Sequence, residues 1–164
     1  MKTVLVKISL ASQVLHLFED DTLIRTYPVS TARNGAGEQE GSFCTPRGRH
    51  RIRAKIGAGS APGTVFIGRR PTGEIYSTEL AANSTRTDWI LTRILWLCGE
   101  EPGRNRLGRV DTMRRYIYIH GTPDSVELGK PGSIGCIRMR NSDITALFDA
   151  VTVGTSVLIE EETA

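Results

Sequence analysis

Val4, Val6, Ile8 and Leu10 fall on one side of an extended segment, an alternation that predicts a half-buried strand at the start of the chain. The period-two pattern continues over residues 13–18 and 22–30, joined by Ala11-Ser12 and by the acidic turn Glu19-Asp20-Asp21. Further strands are expected over residues 49–56, 65–69, 89–97, 115–119 and 156–161. Glycines and prolines fall largely between these runs, where turns need them. Residues 57–87 are rich in Gly, Ser, Thr and Asn and predict a long loop with a short hairpin. The period changes once. Ile144, Leu147, Phe148 and Val151 recur at helical spacing, with Asn141 or Ser142 as a cap and Gly154 as an end. No repeat, low-complexity segment or linker interrupts the pattern. One domain over residues 1–164 is therefore expected, mainly β with one or two short helices.

Composition narrows this little. The chain has 164 residues, 39% hydrophobic and 24% charged, a globular mix that argues against disorder. Its formal charge is +3, and the basic run Arg47-Gly48-Arg49-His50-Arg51-Ile52-Arg53 has few aromatics nearby. A solvated strand face explains that run, and no nucleic acid is expected as a partner. No apolar run is long enough to span a membrane, so none is expected there either. Lys7 interrupts the apolar amino-terminal segment before it reaches the length of a signal-peptide core. Read as a strand rather than a leader, that segment predicts a cytoplasmic chain. Cys44, Cys98 and Cys136 are odd in number and widely spaced, which fits reduced thiols in a reducing compartment. Cys98 reads as a core residue and Cys44 as part of a turn.

The chemistry concentrates in Ile117-Tyr118-Ile119-His120-Gly121-Thr122 and Ser133-Ile134-Gly135-Cys136-Ile137-Arg138-Met139. A strand delivers His120 at its end, and Gly121 permits a sharp turn immediately after. A thiol is mostly protonated at neutral pH, so a nucleophilic cysteine needs an imidazole or another positive group beside it. The N–H groups of Gly135 and Cys136 are candidate oxyanion donors. Arg138 could hold a substrate carboxylate. Tyr118 and Trp89 could line a groove, and Lys130 and Ser133 could touch substrate. Taken alone, however, a histidine and a cysteine are equally a satisfied strand-end residue and a buried turn residue. His16 and His50 read as surface or packed side chains. No metal site is expected, since three or four ligands do not converge, and no cofactor is implied.

The two motifs together resemble the signature of the YkuD-type L,D-transpeptidase family. Tyr27-Pro28-Val29-Ser30-Thr31 is similar to its early strand, and Thr45-Pro46-Arg47-Gly48 with Ile52 to its Thr-Pro-x-Gly turn. Asn141 through Gly154-Thr155-Ser156-Val157 is similar to its helix and closing strand. The blocks follow the family's order over nearly the whole chain. The resemblance implies a mixed β-sandwich, with Cys136 attacking and His120, oriented by the carbonyl of Gly121, moving protons. It also implies Gly135 beside the nucleophile and Ser133, Ile134, Arg138 and Tyr118 near substrate. Many relatives carry histidine where this chain has Ile134, and residues 57–87 and 98–110 match poorly.

The implied reaction is acyl transfer from the L-centre of diaminopimelate, with D-alanine leaving and a thioester remaining on Cys136. Members without export signals resemble L,D-carboxypeptidases of cell-wall recycling, in which water resolves the thioester. The expected partners are therefore peptidoglycan-derived tetrapeptides, free, sugar-linked or nucleotide-linked. A transpeptidase that crosslinks stems or exchanges D-amino acids is the alternative, and a non-catalytic muropeptide binder is a second one.

Overall fold

The computed structural model describes residues 2–164. Its elements run β1 (Val4–Ser9), β2 (Val14–Glu19), β3 (Thr22–Ser30), β4 (Gly48–Ile56), β5 (Thr64–Ile67), β6 (Arg70–Ile75), α1 (Thr78–Ala82), β7 (Ile90–Gly99), β8 (Tyr118–Gly121), β9 (Ile137–Met139), α2 (Asn141–Ala150) and β10 (Ser156–Glu160). The strands join in one sheet, ordered β4-β10-β1-β2-β3-β9-β8-β7-β5-β6. A further pairing of β4 with β7 closes most of that sheet on itself and leaves the β5–β6 hairpin projecting. Most neighbours are antiparallel, but β1–β10 and β8–β9 are parallel. The expectation of a mainly β, mixed fold is met.

Alternation explains the layering. Val6, Ile8, Leu15, Leu17, Val29, Ile52, Leu95, Leu97, Val157 and Ile159 are fully or almost fully buried in one apolar core. Ile144, Leu147 and Phe148 bring α2 against it. Arg49, Arg51 and Arg53 alternate outward from β4 and are exposed, whereas His50 and Ile52 between them are buried. The basic run is thus a strand face, as its spacing predicts.

Four local expectations need correction. The strand expected over residues 115–119 runs over Tyr118–Gly121, because Tyr116 adopts φ 57° and interrupts extension. The long loop of residues 57–87 contains the β5–β6 hairpin and also α1, whose Ser77 side chain accepts from the Leu80 N–H. Arg140, not Asn141 or Ser142, caps α2; Asn141 instead donates its side-chain N–H to Thr122 O at 2.9 Å. The helix ends at Ala150, and Gly154 (φ 94°) belongs to the following turn, donating to Ile52 O.

Candidate active site

β8 and β9 lie side by side in parallel, pairing Ile119 with Ile137 and His120 with Arg138. Side chains alternate across a sheet, so the two strands divide their residues between two environments. Ile119, Ile137 and Met139 enter the main core and are wholly buried. Tyr118, His120 and Arg138 project to the other face, where Phe66, Ile94 and Tyr118 form a smaller cluster that packs against Cys136. The two-residue period therefore brings His120 and Cys136 to one side, although the chain separates them by a long loop.

His120 is completely buried, and its Nδ1 lies 2.6 Å from Gly121 O. A carbonyl only accepts, so Nδ1 carries the hydrogen and Nε2 of the neutral ring presents a lone pair. Nε2 has no partner. Burial holds the His120 pKa below its ordinary value, opposed by the Gly121 carbonyl and by Asp88. The ring is thus a neutral, desolvated proton acceptor.

Gly121 does not turn the chain, as the sequence suggests, but remains in β8 opposite Leu91 and Met139. It is glycine because an added Cβ would lie 2.4 Å from Asn141 Oδ1 and 2.6 Å from Leu91 O. Opposite the His120–Gly121 step, β7 carries a bulge between Leu91 and Ile94, with Thr92 at φ 74°. Bulges commonly re-aim strands beside functional sites.

Cys136 stands immediately before β9, half-buried. Its Sγ accepts from the Tyr118 N–H and donates to Tyr116 O, each at 3.3 Å. Burial pushes the thiol up to about 12, outweighing the Tyr118 N–H that favours the thiolate. In this arrangement the sulfur makes no hydrogen bond with His120. The preceding loop is rigidly held. The Ser133 hydroxyl donates to Cys136 O at 2.6 Å and accepts from the Gly135 N–H at 3.2 Å. Thr45, buried, donates to Gly135 O at 2.9 Å and accepts from the Ala32 N–H. That contact gives the Thr45-Pro46 motif its structural meaning. Gly135 sits at φ 136°, a conformation side chains resist.

A cavity of about 540 Å³ opens onto Cys136, lined also by Phe66, Asp88, Tyr118, Arg69 and Arg115. Phe43, Tyr116 and Ile134 form an exposed apolar rim. The predicted residues distribute unevenly around it. Tyr118 and Ile134 line the cavity. Ser133 is 2% exposed and braces the loop, so it faces the backbone rather than the opening. The Gly135 N–H is engaged by Ser133, leaving the Cys136 N–H as the remaining expected oxyanion donor. Arg138 is bound to Asp88 at 2.8 Å and to Gly132 O at 3.1 Å, so its guanidinium is already neutralised. Lys130 pairs with Glu127, and Trp89 packs with Val65 and Leu91 in a separate cluster. Cys98 is buried, and Cys44 faces the carbonyls of Asn34 and Ser42.

Asp88, Arg69, Arg115 and Tyr116 reach the cavity without any signal in the sequence pattern. Asp88 and Arg69 come from the region between β4 and β7, where periodicity is weak. Arg115 is tied inward, donating to Cys44 O at 2.7 Å and Gly37 O at 3.3 Å. Among the described residues, no group of three metal-binding side chains converges, and no helix is long and apolar enough to cross a membrane.

Comparison with known proteins matches residues 3–159 to the YkuD family model, described as the L,D-transpeptidase catalytic domain. A putative L,D-transpeptidase YkuD of Bacillus licheniformis is 26% identical over 155 residues, 94% of this chain and 64% of that protein. A putative L,D-transpeptidase YqjB of Bacillus subtilis is 48% identical over 48 residues, 29% of this chain and 27% of that one. Among solved structures, an L,D-transpeptidase from Xylanimonas cellulosilytica superposes with TM-score 0.62 at 20% identity, covering 96% of this chain and 60% of the other. The L,D-transpeptidase 3 of Mycobacterium tuberculosis with a faropenem-derived adduct gives TM-score 0.60 at 15% identity, covering 98% and 61%. This chain thus spans less than two thirds of the length of each of these proteins.

Proposed function

The chain belongs to the YkuD family of L,D-transpeptidase catalytic domains, and from that premise we propose that it is a cytoplasmic L,D-carboxypeptidase of peptidoglycan recycling. Its substrates are murein tetrapeptides, with Cys136 the nucleophile and His120 the base. One observation carries the reading. On a single face of β8 and β9, a thiol on a cavity wall stands with a buried imidazole whose Nε2 lone pair has no partner.

The cycle begins when the Cys136 thiol exchanges the Tyr116 carbonyl for His120 Nε2, a contact that forms with substrate in place. As the proton passes to Nε2, Sγ adds to the carbonyl carbon of the diaminopimelate L-centre. The Cys136 N–H steadies the oxyanion. Collapse breaks the C–N bond, and His120 returns the proton to the departing amine of D-alanine. Water then attacks the thioester, losing its proton to His120, and the thiol is restored. Gly121 O keeps the Nδ1 hydrogen in place throughout, so Nε2 remains the working nitrogen. Burial holds the proton on the resting Cys136 thiol, which favours its transfer to His120 during attack over a preformed thiolate.

All three cysteines are unpaired, which supports placing the reaction in a reducing compartment. The names of the relatives favour a second reading, L,D-transpeptidation with an amine acceptor.

Purified protein incubated with a free tetrapeptide is expected to release D-alanine and the tripeptide. Intact tetrapeptide would sink the hydrolase reading, while crosslinked or D-amino-acid-exchanged products would establish the transpeptidase. Labelling with a thiol electrophile separates both from a mere binder, in which Cys136 would react no faster than Cys44 or Cys98.

A further inference from the structure

Arg69 occupies the tip of the β5–β6 hairpin, in the two-residue turn Gly68-Arg69. Both residues have positive φ, 56° and 65°. Such a turn favours glycine or asparagine, and an arginine there carries backbone strain. The turn places a long cation over the cavity. Its guanidinium carbon lies 4.9 Å from the Trp96 ring centre and 4.8 Å from that of Tyr116. One Nη donates to the Tyr118 hydroxyl at 3.0 Å. Trp96 is itself fixed, donating from Nε1 to Met113 O at 3.1 Å and meeting Tyr118 edge-on.

Among the described residues, Arg69 makes no ion pair, and its one side-chain hydrogen bond is to the phenol. A guanidinium has five N–H donors in a planar fork, so most of this one remains available. Of the other arginines nearby, Arg138 is neutralised by Asp88 and Arg115 is turned to backbone carbonyls, while Arg114 lines the cavity as an exposed side chain without the aromatic seat that fixes Arg69. A preorganised, half-buried guanidinium without an anion, on the same cavity as Cys136, is a receptor for a carboxylate.

The geometry points to Arg69 as the residue that binds a carboxylate of the substrate, the task that the sequence alone assigns to Arg138. This inference rests on the proposed substrate class. Tyr118 links the two ends of the device, since its hydroxyl holds Arg69 and its backbone N–H holds the Cys136 sulfur. A substrate anchored at Arg69 is thereby registered against the nucleophile through one residue.

The experiment uses the full chain carrying Cys136→Ala, so that ligand binding is read without turnover. Calorimetry compares the murein tetrapeptide with analogues in which each of its carboxylates is amidated in turn. Arg69→Met is expected to weaken tetrapeptide binding about tenfold to a hundredfold, the scale of a charge-assisted pair. Against one amidated analogue the same substitution should make no difference, and that analogue identifies the carboxylate bound. Arg69→Gly suits the positive φ, so it should keep or raise the melting temperature while weakening binding equally. Equal losses against every analogue, no loss at all, or no tetrapeptide binding before Arg69 is changed would each overturn the assignment. Tetrapeptide hydrolysis by the chain with Cys136 intact is scored separately. Binding that depends on Arg69 without hydrolysis would retain the contact and reject the carboxypeptidase.

Discussion

The two faces of the β8–β9 pair share a backbone, a register and complete or near-complete burial, yet they do opposite work. Ile119, Ile137 and Met139 are wholly buried among aliphatic side chains and α2. His120 is equally buried but polar, and Arg138 beside it reaches an acidic partner. On the apolar face, burial stabilises the fold directly. On the polar face it sets chemistry: it keeps His120 neutral, raises the Cys136 thiol, and leaves His120 Nε2 and Arg138 Nε without partners. Depth alone does not separate core from site. On this strand pair, whether each polar atom is satisfied does: His120 Nε2 and Arg138 Nε lack partners here, where a reaction needs open groups.

Substitutions on the two faces should therefore separate activity from stability. The largest effect is expected from Cys136→Ala, which should abolish tetrapeptide turnover while circular dichroism and melting remain close to those of the parent. His120→Ala should slow turnover by about two to four orders of magnitude, the usual weight of a general base. Undiminished turnover would remove His120 from the mechanism. On the opposite face, Ile137→Ala should cost about 2–5 kcal/mol in denaturant unfolding. A comparable stability loss on both faces would erase the distinction.

Acid should act on the fold through His50, whose ring lies buried between Gly48 O at 3.0 Å and Thr112 Oγ1 at 2.9 Å. Burial lowers its pKa from 6.5 to about 4. The unfolded chain then takes up a proton that the folded chain refuses. The stabilisation is complete above about pH 6.5 and lost as pH falls toward 4, on the order of 3 kcal/mol in all. His120, also held below its ordinary value, acts in the same direction. Melting followed from pH 7 to 4 should decline, and His50→Gln should flatten the decline. The smallest effect is expected from Asp88→Asn, about 1–3 kcal/mol for leaving the partly buried Arg138 unpaired. Asp88 raises the His120 pKa, so its removal should move the acid limb of the pH–rate profile to lower pH. An unmoved limb would show that Asp88 is purely structural.

The sequence by itself determined the strand periods, the main core, the basic outer face of β4 and the His120 and Cys136 motifs. These are local: alternation reports which face a residue takes, and a motif keeps its spacing. The Gly121 carbonyl as the partner of His120 was implied by the family resemblance, and the contact is present at 2.6 Å. Gly121 itself was legible as a glycine but for the wrong cause, since the clash with Asn141 and Leu91 involves distant chain. The same distance hid the bulge at Thr92, the aromatic seat of Arg69 and the pairing of Arg138 with Asp88. Asp88 and Arg138 are far apart in the chain, and no period links them. That Arg138 is neutralised while Arg69 is seated on aromatic rings over the cavity was settled only when the β5–β6 hairpin, β7, β8 and β9 came together in the sheet. Ionic partnership and desolvation depend on three-dimensional neighbours, so the tertiary structure alone could decide them.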